Sequence, residues 1–130
     1  MNLLSLFSGC GGMDIGFEGN FICLKKSINT KINSEWIEED NGDWVKVAPT
    51  IFRTIFANDI RPDAKAAWVS YFGNTKANAN QIYHLDSIVN LVKREKQGEA
   101  IFPNDIDIVT KFTILSRWYI WLALAFVLPK

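Results

Sequence analysis

Short apolar runs alternate with amphipathic stretches along most of this chain. Leu3 to Phe7 reads as a buried strand, and Met13 to Phe17 as a short helix with Asp14 in its first turn, where the helix dipole favours an acid. Phe21 to Leu24 reads as a brief extended stretch. A polar, charged segment with no helical period follows. Within it Trp36-Ile37-Glu38-Glu39 and Asp43 to Val47 flank Asp40-Asn41-Gly42, a hairpin signal that predicts a surface insertion over about 33–48. Ile51 to Ala57, rich in Ile, Phe and Thr, predicts the second core strand, ended by Asn58-Asp59. Arg61-Pro62-Asp63 opens a helix, with proline tolerated in its first turn. Ala64, Ala67, Trp68 and Tyr71 give that helix one apolar face, and Gly73-Asn74 stops it. Gln81 to His84 predicts a third strand. Asp86 or Ser87 caps a helix to about Lys96, with Ile88, Leu91 and Val92 inward and Gln97-Gly98 at its end. Ile106 to Val109 predicts a fourth strand, after the Pro103-Asn104 turn. Strands alternating with helices predict an α/β protein with a parallel sheet.

Composition narrows the picture. At 130 residues the chain has room for one domain with a real core, and its 48% apolar content excludes a disordered tail. Lys plus Arg (14) equals Asp plus Glu (14), so nothing in the net charge asks for nucleic acid. Cys10 and Cys23 read as free thiols in a reducing cytoplasm, because a disulfide at Cys10 would obstruct the glycine loop around it. The N-terminus carries no basic region followed by an apolar core, so no signal peptide is expected. Trp118 to Leu128 is an unbroken apolar run, shorter than the ~18–20 residues of a spanning helix. Arg117 interrupts any longer reading, which favours a buried strand or helix over a membrane anchor.

Three strand ends carry the candidate chemistry. The first is the turn Phe7-Ser8-Gly9-Cys10-Gly11-Gly12, followed by Met13-Asp14. Its glycines let a backbone approach a ligand with no Cβ in the way, and the helix start beyond it offers N–H groups. The second is Asn58-Asp59-Ile60. A carboxylate after the second strand of a nucleotide-binding α/β domain accepts hydrogen bonds from both ribose hydroxyls. In nicotinamide folds that acid lies about 20 residues beyond the glycines. The gap to Asp59 is more than twice as long, which the hairpin insertion accounts for. The third is His84-Leu85-Asp86-Ser87-Ile88, where Asp86 either caps the helix, meets a ligand, or does both. His84 is the only histidine and no cysteine pair has metal spacing, so neither a role for His84 nor a metal site is expected.

The run Phe7 to Glu18, Phe-Ser-Gly-Cys-Gly-Gly-Met-Asp-Ile-Gly-Phe-Glu, resembles the first motif of DNA (cytosine-5) methyltransferases. Phe56-Ala57-Asn58-Asp59-Ile60 resembles their second motif. The resemblance covers residues 1–110 and implies a Rossmann-like S-adenosylmethionine-dependent methyltransferase fold, of which this is the N-terminal half of a mainly parallel sheet. It implies S-adenosylmethionine as cofactor, bound by Phe7, Ser8, Gly9, Cys10, Gly11 and Gly12. By the same resemblance Asp59 holds the ribose, Ile60 lies against the adenine, Asp86 meets the adenine amino group, and Ser87 or Ile88 lines the pocket.

The resemblance stops near Thr110. Asp105 to Thr110 resembles the strand leading to the family's Pro-Cys motif, whose thiolate attacks carbon 6 of a flipped cytosine. The chain continues Lys111-Phe112-Thr113-Ile114-Leu115-Ser116 instead, and the Glu-Asn-Val motif is absent too. Residues 111–130 therefore read as an apolar tail unrelated to the family, and a frameshift is the simplest account. The expectation is a restriction-modification type methyltransferase by family, present as a catalytically inactive cytoplasmic fragment. Duplex DNA would be the partner of the full-length enzyme, and a complementing C-terminal fragment a second partner. The alternatives are a non-catalytic S-adenosylmethionine-binding module, a NAD-type oxidoreductase fragment, and a small membrane protein resting on Trp118 to Leu128.

Overall fold

A computed structural model describes residues 1–29, 31–32 and 34–111; the apolar run Trp118 to Leu128 lies outside the described residues. Among the described residues seven strands and four α-helices are formed, besides two short 3-10 turns: β1 (Asn2–Leu6), α1 (Gly12–Glu18), β2 (Ile22–Leu24), β3 (Ile37–Asn41), β4 (Trp44–Val47), β5 (Arg53–Asp59), α2 (Pro62–Phe72), α3 (Ala79–Ile82), β6 (Tyr83–Leu85), α4 (Ile88–Lys96) and β7 (Ile108–Lys111). Four strands make a parallel sheet in the order β6-β5-β1-β7. The other three make a small antiparallel sheet in the order β2-β4-β3. The architecture is α/β and compatible with a Rossmann-like fold.

Both faces of the parallel sheet are covered, which is why its strands read as apolar runs. On one face Ala57 packs with Trp68 and Phe72 of α2, Ala79 of α3 and Tyr83, with Ile15 of α1 against them. On the other face Leu4, Leu6 and Phe56 pack against Leu91 of α4. The pairing of β1 with β5 carries one irregularity. Leu3 pairs with Thr54 and Leu4 with Phe56, so Ile55 is the extra residue.

Several expectations need correcting. The second core strand begins at Arg53 and runs through Asp59, while Ile51 stays exposed. The buried stripe of α2 is Ala64, Trp68 and Phe72, one residue per turn, and Ala67 and Tyr71 face outward. Trp68 sets that rotation, because its indole nitrogen reaches inward to Asp14. Gln81 and Ile82 belong to the helical turn α3, and the third strand starts only at Tyr83. The fourth strand starts at Ile108, two residues late. The hairpin closes with Gly42-Asp43 at its tip and Asn41 already paired with Trp44. It also recruits β2, so the insertion is a three-stranded sheet with Val45 fully buried. The helix after β6 forms as expected, capped by the Ser87 hydroxyl, which accepts from the Val89 N–H.

Candidate functional site: a loop and two carboxylates at three adjacent strand ends

β1, β5 and β6 are neighbours and run the same way, so the segments leaving their C-terminal ends converge. β1 also lies where the sheet order reverses, with β5 on one side and β7 on the other. In open parallel sheets ligands bind outside the carboxyl ends at such a point. All three sequence-selected segments are there: 7–12 after β1, Asp59-Ile60 after β5, and Asp86-Ser87 after β6.

The turn after β1 is held by hydrogen bonds from below. The Ser8 N–H donates to the Asn58 carbonyl (2.9 Å), and the Ser8 hydroxyl donates to the Ser5 carbonyl (3.0 Å). The same hydroxyl accepts from the Asn58 N–H at 3.2 Å. Phe7, Gly9 and Gly11 all adopt positive φ, at 56, 53 and 89°. The two glycines differ in surroundings. A Cβ on Gly11 would meet Trp68 Cδ1 at 2.6 Å and Phe72 Cε2 at 3.0 Å, so Gly11 is a packing glycine. A Cβ on Gly9 would meet nothing within 4 Å, so the backbone there borders open space. Cys10 is exposed at the crest of the turn and neither cysteine is in a disulfide.

Asp59 links the turn to β5. Its Oδ2 accepts from the Gly9 N–H at 3.1 Å, and its Oδ1 accepts from the N–H groups of Ile60 (2.7 Å) and Arg61 (3.1 Å). A carboxylate offers about four acceptor positions, so Oδ2 keeps capacity for a ligand. Ile60 beside it is 67% exposed, an apolar surface at the strand end. Asn58 fastens the third segment, donating from Nδ2 to the carbonyls of His84 (2.9 Å) and Asp86 (2.8 Å). Asp86 Oδ1 accepts from the Ser87 N–H and the Asn90 amide. These bonds, with Arg94 nearby, hold its carboxyl below the usual range, so it stays an anion. Its Oδ2 lies 3.8 Å from Arg94 Nη1 and can accept from an amino group. Asp86 thus braces the start of α4 while Ser87 caps it.

These groups suit a nucleoside-bearing ligand: two acceptor carboxylates, an exposed apolar side chain at Ile60, and a loop open at Gly9. His84 stacks on Phe56 at 4.3 Å, which is a packing role. Burial, with Lys65 and Arg94 adding repulsion, lowers its pKa. Among the described residues no group of three His, Cys, Asp or Glu is placed to hold a metal ion, and no helix is long and apolar enough to cross a membrane.

Two residues at this site escaped the sequence reading. Tyr83 looked like an ordinary strand residue, yet its hydroxyl donates to the Gly9 carbonyl at 3.0 Å. Asp14 reads as a first-turn acid favoured by the helix dipole, yet it is fully buried and its Oδ2 accepts from Trp68 Nε1 at 2.7 Å. Among the described residues its Oδ1 has no hydrogen-bond partner. Desolvation raises the Asp14 pKa, against the lowering effects of Ser5 and Trp68. The unfolded chain therefore loses this proton at lower pH than the folded one. Stability from Asp14 is full below about pH 3.9, the free aspartate value, and is lost as pH rises toward the raised folded value. Asp14→Asn keeps an acceptor for Trp68 and removes the titration. Its stability relative to the unmodified chain should rise with pH above that point in urea denaturation; a difference independent of pH would contradict this.

Over 72 residues the chain is 35% identical to the Type II methyltransferase M.BsuRI of Bacillus subtilis. That stretch covers 55% of this chain and 16% of that protein, so the chain matches less than a fifth of its relative. The match relates the chain to a methyltransferase. No family model matches the chain, and no solved structure matches it significantly.

Proposed function

We propose that this chain carries the S-adenosylmethionine-binding part of a DNA (cytosine-5) methyltransferase of the restriction-modification type, acting in the cytoplasm on duplex DNA. The observation that carries the reading is the convergence of the glycine turn, Asp59-Ile60 and Asp86-Ser87 at three adjacent strand ends. The methyltransferase relative supports it. Residues 1–110 form the partial methyltransferase domain, with 111–130 outside the family pattern.

In this reading Phe7, Ser8, Gly9, Cys10, Gly11 and Gly12 form the wall beneath the methionine part of the cofactor. Asp59 holds the ribose by accepting from a hydroxyl through the free capacity of Oδ2. Ile60 covers one face of the adenine, Asp86 accepts from its amino group, and Ser87 lines the pocket beside it. When bound, the cofactor supplies an electrophilic methyl group on a sulfonium. These residues bind and orient; none is a nucleophile placed for cytosine. Cys10 stands on the turn itself, and Cys23 is on β2 in the antiparallel sheet. No Pro-Cys or Glu-Asn-Val occurs in these residues. The 130 residues alone should therefore bind cofactor and transfer no methyl group.

Two assays test this on the purified chain. S-adenosylmethionine should raise the melting temperature while NAD does not, and transfer of labelled methyl to DNA should stay at the no-enzyme level. Stabilisation by NAD alone would revive the oxidoreductase alternative, and methyl transfer well above background would overturn the claim of inactivity. A second reading, the complementing half of a split enzyme, rests on the sheet edges: among the described strands β6 and β7 each pair on one side, and an open parallel edge accepts another strand.

A further inference from the structure

We propose that Tyr83 is the positioning residue of the glycine turn, fixing the Gly9 peptide so that the turn is shaped before the cofactor arrives. The inference rests on the cofactor reading above. Gly9 is held at both backbone polar groups by side chains from outside the turn. Its N–H donates to Asp59 Oδ2 at 3.1 Å and its carbonyl accepts from the Tyr83 hydroxyl at 3.0 Å. Without those two bonds a glycine at φ 53° bordering open space has wide conformational freedom. Ordering it on binding would cost affinity, and a clamp present beforehand removes that cost.

Tyr83 is well built for the task. Its ring is 1% exposed and lies 5.4 Å from the Trp68 ring, so the hydroxyl is aimed by a rigid core. Burial, with the Asp59 and Asp14 carboxylates adding to it, pushes the hydroxyl far above the ordinary tyrosine range. The group therefore remains an O–H donor at every working pH. It also joins two strand ends: Tyr83 begins β6, and the turn it holds follows β1, with β5 and its Asp59 between them. A ribose on Asp59 and a methionine tail over Gly9 would thus meet one connected unit.

The test is a calorimetric titration of the full chain and of Tyr83→Phe with two probes, S-adenosylmethionine and adenosine. Adenosine reaches Asp59, Ile60 and Asp86 but has no group over the turn. Losing one hydrogen bond of about 1.4 kcal/mol should weaken S-adenosylmethionine about tenfold and adenosine by less than about twofold. Equal affinities in both chains would overturn the clamp and leave the cofactor reading standing. Parallel losses of both probes would mark Tyr83 as a general structural residue and also overturn it. If the unmodified chain, folded, binds neither probe, the cofactor reading fails and the clamp fails with it. Should Tyr83→Phe not fold, proton NMR of the unmodified chain decides. A slowly exchanging Tyr83 hydroxyl proton with a through-space contact to Gly9 supports the clamp, and its absence refutes it.

Discussion

Gly11→Ala should cost about 3 kcal/mol of stability and lower the melting temperature by roughly 10 °C. Two physical terms add. At φ 89° an L side chain is strained, and the new methyl would stand 2.6 Å from Trp68 Cδ1 and 3.0 Å from Phe72 Cε2. Neither neighbour can give way. Trp68 is fully buried and tied through its indole nitrogen to Asp14, and Phe72 is 2% exposed at 4.3 Å from the Trp68 ring. A loss of this size is a large share of a typical domain's ~5–15 kcal/mol. Gly12→Ala is the control. Its methyl meets nothing within 4 Å and it opens α1, where alanine is a better helix former. Differential scanning calorimetry of the two variants should show a large drop for the first and almost none for the second. Similar melting temperatures would mean that α2 does not press on the turn.

Asp59→Ala should weaken S-adenosylmethionine about a hundredfold, the loss of a charge-assisted ribose hydrogen bond of up to ~3 kcal/mol at the free position of Oδ2. The substitution also strips acceptors from the N–H groups of Gly9, Ile60 and Arg61, so the turn loosens at the same time. Asp59→Asn should fall between the two, since it keeps one oxygen and loses the charge. Calorimetric titration checks the order. If Asp59→Ala binds as tightly as the unmodified chain, the ribose is not at Asp59 and the ligand orientation proposed here is wrong.

Much of this fold was legible because period and punctuation agreed. The glycine turn, the acid after β5 and the serine cap before α4 are local features, set by a few adjacent residues. All three stand at strand ends that converge in space. What escaped was decided by distant contacts. The rotation of α2 depends on Trp68 meeting Asp14, 54 residues away, so a short apolar stripe placed Ala67 and Tyr71 inward and missed Phe72. Gln81-Ile82 read as strand because a β-branched residue sits beside an aromatic one, yet the chain needs a helical turn there to bring Tyr83 into line with Ala57. The joining of β2 to the hairpin could not be read from three residues with no alternation. Tyr83 carried no local mark of its role, since its hydroxyl acts on a residue 74 positions earlier. Asp14, set between Met13 and Ile15 in a short apolar stretch, was the signal that pointed to a buried partner.

The central claim is that the glycine turn and the two carboxylates form one cofactor cleft. An NMR titration of the isotope-labelled chain with S-adenosylmethionine tests it most directly. The account predicts saturable shifts concentrated in the amides of Gly9, Cys10, Gly11, Ile60 and Ser87, with the β2-β4-β3 sheet unchanged. A folded chain whose amides at those positions do not move, or whose shifts fall on the antiparallel sheet instead, would contradict it.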